Sequence, residues 1–187
     1  MKRQTIIPAI LFGLGISLGT ISKAQSPISP VQKGSVTFNV GVGIGNDYNS
    51  NYYYNSPFGT KAALEVALWQ AGPGVITLGG EVGGTFTSGS PGLDNYKART
   101  FILAGRSAWH SGWNVKGLDT YAGLSAGIGF EHSSHNVNKN KVKQDDVAPR
   151  FGGFIGASYF FTPTFGVNVE AGYDITQIQG GIILKIK

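Results

Sequence analysis

Four charges stand apart in this sequence. Glu65, Glu81, Arg106 and Glu170 lie in stretches otherwise dominated by Gly, Ala, Val, Leu and Ile. A guanidinium bridges carboxylates through paired hydrogen bonds. Carboxylates brought together repel one another unless a base lies between them. The set therefore predicts an ion-pair network centred on Arg106 and Glu81, with Glu65 and Glu170 as further members. A second constellation is Phe130-Glu131-His132-Ser133-Ser134-His135-Asn136. His132 and Ser134 share one face of a strand, as a base and a nucleophile would, while Glu131 points to the other face. A polar strand end accounts for the same residues. Glu131, His132 and His135 offer a metal two imidazoles and a carboxylate without a defined fourth ligand, so no metal is assigned. No cofactor is assigned either. Gly41-Val42-Gly43-Ile44-Gly45 has neither the spacing nor the following helix of a dinucleotide loop.

The elements that must position these residues follow a period of two. Eight stretches alternate apolar with small or polar residues, at about 35–45, 60–70, 75–87, 98–110, 118–132, 148–161, 165–174 and 177–187. On the first, Val36, Phe38, Val40, Val42 and Ile44 share a side. Ala62, Leu64, Val66 and Leu68 do so on the second. Ala122, Leu124, Ala126, Ile128 and Phe130 do so on the fifth, and Phe165, Val167, Val169, Ala171 and Tyr173 on the seventh. The opposite sides carry Asn39, Gly41 and Gly43, then Glu65, then Ser125, Gly127 and Gly129, then Asn168, Glu170 and Gly172. A soluble barrel fills its interior with bulky side chains. Here the polar side is small and sparsely charged, which suits a narrow wet lumen.

The expected fold is therefore all-β: an eight-stranded, antiparallel, up-and-down transmembrane barrel with its apolar side against lipid. A base facing lipid at midplane costs roughly 2–4 kcal/mol, which places the four charges inside. Reflection about the hairpins sets Glu65 and Arg106 level with Glu81, and Glu170 beside Gly156 and Gly181. Trp69 has the wrong parity for lipid and is expected to close the bottom of the lumen.

Loops at 46–58, 88–96 and 133–147 are long and polar, whereas the links between them are mostly short. Outer-membrane barrels pair long external loops with short periplasmic turns. Two aromatic girdles are expected where rings straddle lipid and water. Trp109, Trp113, Tyr159, Phe161 and Phe165 fall near the inner rim. Phe58, Phe86, Phe101, Phe130, Phe151 and Tyr173 fall near the outer one. Lys139, Lys141 and Lys143, balanced by Asp145 and Asp146, form a solvated loop or touch lipopolysaccharide phosphates.

Met1-Lys2-Arg3, the apolar run from Ile6 to Leu18 and Ser22-Lys23-Ala24 have the form of a cleaved signal peptide. The expected organisation is a signal at 1–24, a linker at 25–34 and a barrel at 35–187. Three of the fifteen bases, Lys2, Arg3 and Lys23, precede residue 25 while all ten acids follow it, which leaves +2. A nucleic-acid partner loses its electrostatic basis. The chain contains no cysteine, so it has neither disulfides nor thiol chemistry. With 29 glycines and only 13% charged residues it departs from soluble-domain composition.

Phe165-Gly166-Val167-Asn168-Val169-Glu170-Ala171-Gly172-Tyr173 and Gly180-Gly181-Ile182-Ile183-Leu184-Lys185-Ile186 resemble the last two strands of small OmpA/OmpX-type outer-membrane barrels of Bacteroidetes-like Gram-negative bacteria. Gly181, Leu184 and Ile186 match that family's C-terminal targeting pattern, although the chain ends in Lys187 rather than an aromatic residue. The resemblance implies a monomeric, integral outer-membrane protein that engages the assembly machinery and outer-membrane lipids. It also implies a non-enzymatic structural or surface-display role, a lumen filled by side chains, and external ligands on loops 46–58 and 133–147. A narrow channel for small solutes or ions is the alternative. His132-Ser133-Ser134 also resembles the His-x-Ser motif of lipid A 3-O-deacylases, which would make His132 the base and Ser134 the nucleophile. The residues after Ser134 do not follow that family.

Overall fold

The alternation produces eight strands in the computed structural model, which describes residues 29–45, 58–89, 96–137 and 140–187. They are β1 (Val36–Ile44), β2 (Phe58–Ala71), β3 (Gly74–Gly89), β4 (Tyr96–Gly112), β5 (Leu118–Val137), β6 (Asn140–Phe160), β7 (Phe165–Tyr173) and β8 (Ile178–Lys185). Each pairs antiparallel with the next. β1 closes the ring, with Val40 opposite Ala62 of β2 and opposite Ile182 of β8. Closure leaves no unpaired sheet edge. Gly72, at φ +60°, and Pro73 form a two-residue turn that joins β2 to β3. A glycine in the first central position suits such hairpins. The expected signal segment 1–24, residues 46–57 and residues 90–95 lie outside the described residues.

Period two puts the large apolar side chains outside. Leu124 is 72% exposed and Phe151 69%, and Val40, Leu64, Leu103, Ile155, Val169 and Ile182 share that outward face. The inward positions are buried and mostly small, polar or charged, with Ile102, Tyr121, Phe154, Phe160 and Ile183 as the large exceptions. The exposed apolar surface runs round the whole ring, far beyond the scattered patches of a soluble monomer. Trp109, Trp113, Tyr159, Phe161, Phe165, Phe130, Phe151 and Tyr173 are all exposed on it. Tyr159 meets Phe161 edge-on at 5.2 Å, and Phe161 lies 6.4 Å from Phe165. Towards the opposite end, Phe101 and Phe130 sit 6.3 Å apart.

Four local features depart from the simple pattern. A β-bulge between Ala67 and Trp69 leaves Leu68 as an extra residue. The bulge resets parity, so Trp69 points outward and is exposed rather than closing the lumen. Residues 133–147, expected as a loop, continue the β5–β6 ladder as far as Val137 opposite Asn140. Backbone pairing needs no apolar face, so the strands outrun the belt. Residues 29–34, expected as a linker, pack into the terminus-bearing end of the barrel, where Val31 is buried against Ala67, Val75, Phe160 and Ile183. At the other end the short β7–β8 connection turns inward, burying Asp174, Ile175 and Thr176.

Candidate functional site: the lumen charge network

Arg106 sits on β4, opposite Gly79 of β3 and Ser125 of β5, and only 1% of it is exposed. Its Nε lies 2.9 Å from Glu65 Oε1, one terminal nitrogen 2.9 Å from Glu81 Oε2, and the other 3.0 Å from Glu170 Oε2. The structure thus brings together all four charges singled out in the sequence. The guanidinium carbon stands 4.0 Å from the Phe154 ring centroid, within cation–π range. Phe154 lies over Gly123, its cross-strand partner, where a Cβ would come within 2.4 Å of the ring. Tyr121 covers Gly156 in the same way, at 2.3 Å. The Tyr121 hydroxyl donates to Glu170 Oε2 at 3.2 Å, and its ring stacks on His110 at 4.9 Å. These bare glycines give the rings room to lie flat and fix the walls around Arg106.

The register refines the expected positions. Glu65 stands opposite Gly79, and Glu81 opposite Ala63 and Ala104. Glu170 stands opposite Gly156, as expected, and opposite Gln179 rather than Gly181. The acids converge through side-chain reach, not as directly opposed pairs.

Four partners escaped the sequence reading. Lys61 is a second buried base on the inward face of β2, four residues from Glu65. Its Nζ bonds Glu170 Oε1, lies 2.6 Å from Asp174 Oδ2 and approaches Glu81 Oε2 at 3.7 Å. Asp174 also accepts from Ser125 Oγ at 3.1 Å. Nearer the terminus-bearing end, His110 Nδ1 is 2.8 Å from Asp119 Oδ2, and Nε2 is 3.6 Å from Glu65 Oε2. Thr77 donates to Glu65, and Ser29 Oγ donates to Asp119 Oδ1 at 3.4 Å. The signal for Lys61, His110 and Asp119 was inward parity near strand ends. Asp174 carried no such signal, because it belongs to a connection. Among the described residues, five buried carboxylates (Glu65, Glu81, Asp119, Glu170, Asp174) face Lys61, Arg106 and His110. Glu81 Oε1 has no hydrogen-bond partner among those residues.

Both ends of this column are stoppered. At the terminus-bearing end, Gly34 N donates to Ala67 O at 2.8 Å and Lys185 Nζ to Pro30 O at 3.0 Å, which holds Val31 in place. At the other end, Ile175 is fully buried against Ile102 and Ala104. Thr176 Oγ1 donates to Gln179 Oε1 at 3.2 Å beside it. Ion pairs filling a narrow barrel between two apolar stoppers make a packed interior rather than an open path.

His132 and Ser134 lie elsewhere, on the outward face of β5. His132 Nδ1 bonds Asp145, its partner across on β6, so the acid missing from the sequence reading comes from the neighbouring strand. Both side chains are exposed. Ser134 stands opposite Lys97 and Lys143, and no hydrogen bond joins it to His132 among the described residues. An activated nucleophile requires that contact. Lys139 lies outside the described residues. No group of three or more metal-ligating side chains occurs among them.

No protein-family model matches the chain, and no curated protein matches it significantly. The fold does match solved structures. Ail, the attachment invasion locus protein of Yersinia pestis, superposes with a TM-score of 0.50 at 11% identity, over 82% of this chain and 96% of Ail. Ail solved with the heparin analogue sucrose octasulfate gives 0.49 at 11% identity, with the same coverage. The N-terminal β-barrel domain of Pseudomonas aeruginosa OprF gives 0.35 at 15% identity, over 82% of this chain and 95% of that domain. The architecture is that of the OmpA/OmpX-type eight-stranded barrels.

Proposed function

We propose that the chain is an integral outer-membrane protein of a Gram-negative cell. It is exported by its N-terminal signal, is not an enzyme, and serves as a rigid barrel that displays its long loops outside. The observation that carries this reading is the inversion of the barrel: aliphatic and aromatic side chains outside, ion pairs inside. Only a lipid surround makes that arrangement favourable, because water would leave the outward belt uncovered. Stoppers at both ends and the bonded column between them support a structural role over transport. The absence of a hydrogen bond between His132 and Ser134 among the described residues supports it over lipid hydrolysis.

The test is reconstitution of the signal-less chain in lipid vesicles. Insertion with no conductance above bare bilayer is expected. Conductance in steps, or selective solute efflux, would make the lumen a channel. A chain that stays soluble and monomeric without detergent would remove the membrane reading altogether.

A further inference from the structure

Above the aromatic row, the outward face of β4–β5–β6 changes character. Phe101 pairs with Phe130, which pairs with Val147. The next outward row is Arg99–His132–Asp145, and the one beyond it is Lys97–Ser134–Lys143. Three exposed cations thus stand directly over an apolar row. Two clefts follow this boundary. One, of about 280 Å³, is lined by Lys97, Arg99, His132, Ser134 and Lys143. The other, of about 500 Å³, runs beneath it past Phe86, Phe101, Phe130 and Val147. Arg99 and His132 line both. Three acids also line the larger cleft: Asp145 is engaged by His132, Asp146 accepts from Val147 N at 2.9 Å, and Glu131 on the inward side approaches Arg150 at 3.6 Å. No described carboxylate forms an ion pair with Lys97, Arg99 or Lys143.

We infer that this paired cleft binds one phosphorylated, acylated lipid of the outer leaflet. Its phosphate sits among Lys97, Arg99 and Lys143, and an acyl chain lies along Phe86, Phe101 and Phe130. The inference rests on the membrane reading above and adds a ligand and its site. Guanidinium and ammonium donors suit phosphate oxygens. The continuous apolar floor selects an amphiphile over a soluble anion, because a tail-less phosphate leaves that floor uncovered. Ser134 then serves as a hydrogen-bond donor to the head group, which gives it a role without hydrolysis.

The test uses the full mature chain in non-ionic micelles, with native mass spectrometry reading bound ligand. The probes are bis-phosphorylated lipid A, its dephosphorylated form and inositol hexakisphosphate. Retention of one lipid A is expected, with weak retention of the other two. Each cation removed should weaken lipid A binding about fivefold, so Lys97→Ala/Arg99→Ala/Lys143→Ala loses about a hundredfold. Lys116→Ala, at the other end of the barrel, should change nothing. Lys143→Ala alone supplies the fivefold step if the triple variant does not fold. Equal retention of the dephosphorylated lipid, hexakisphosphate bound as tightly as lipid A, or an unaffected triple variant overturns the inference. Those results leave vesicle insertion intact, so they are distinguishable from failure of the membrane reading, in which the wild-type chain does not insert at all.

Discussion

Arg106 and Glu170 meet at 3.0 Å although their strands, β4 and β7, stand three places apart in the ring. The contact therefore crosses the lumen and ties one wall to the other. Glu170 gives its second oxygen to Lys61 of β2, so a single carboxylate links three strands that are not neighbours. In a soluble domain this cross-bracing would come from a hydrophobic core. Here most of the large apolar residues face outward, and a bonded charge network takes that place between the two small apolar clusters at the ends.

Arg106→Met should destabilise the barrel by about 3–5 kcal/mol, because it removes the base shared by Glu65, Glu81 and Glu170 and leaves only Lys61 and His110 against five buried carboxylates. Urea unfolding in lipid vesicles measures this. Conductance should stay at baseline, since Ile175 and Val31 still close the ends. A conducting variant of unchanged stability would instead identify Arg106 as a gate.

The acids should not be equivalent. Glu170 bonds Lys61, Arg106 and Tyr121, whereas Glu81 leaves one oxygen without a partner. Five carboxylates also outnumber the bases around them. Glu170→Gln should cost several times as much stability as Glu81→Gln. The Glu81 change should stay within about 1 kcal/mol of wild type, the scale of one net hydrogen bond. Parallel unfolding curves for the two variants decide the order.

Ile175→Ala tests the stopper between β7 and β8. The side chain is fully buried, and truncating such an isoleucine costs about 2–5 kcal/mol. Hydrogen exchange should rise first at residues 174–177 and at Ile102. Exchange unchanged at both would show that the connection does not hold that end closed.

Leu124→Arg tests the outward face. Leu124 lies well within the apolar belt of β5, and a base near midplane of a bilayer costs roughly 2–4 kcal/mol. The variant should fold in detergent and insert poorly into bilayers. Insertion equal to wild type would mean that this face does not meet hydrocarbon.

The fold was largely legible because a closed barrel has one governing variable, side-chain parity. Parity on β1, β5 and β7 also placed Asn39, Ser125 and Glu170 inside. It misled at Trp69, because a bulge shifts parity by one residue without any mark in composition. The same bulge sets Glu65 opposite Gly79, two residues from Glu81 and on the same inward face. A lysine near a strand start resembles a rim residue, and only the closed ring shows that Lys61 reaches Glu170. Asp174 and Ile175 were illegible for a different reason. A short connection has no period, so nothing local says that it folds inward. The arms of the β5–β6 hairpin are polar, and polarity alone does not distinguish a paired strand from a loop. Backbone pairing carries strands past the apolar belt without any apolar pattern.

The most direct measurement of the central claim uses the absence of native cysteine. Single variants Val40→Cys, Leu124→Cys, Val167→Cys and Ser125→Cys, each spin-labelled in vesicles, report which side meets lipid. The account predicts high accessibility to oxygen and low accessibility to a water-soluble nickel complex at the first three. At Ser125 it predicts poor labelling, with neither quencher reaching the site. Nickel accessibility at Val40, Leu124 and Val167, with oxygen excluded, would contradict it.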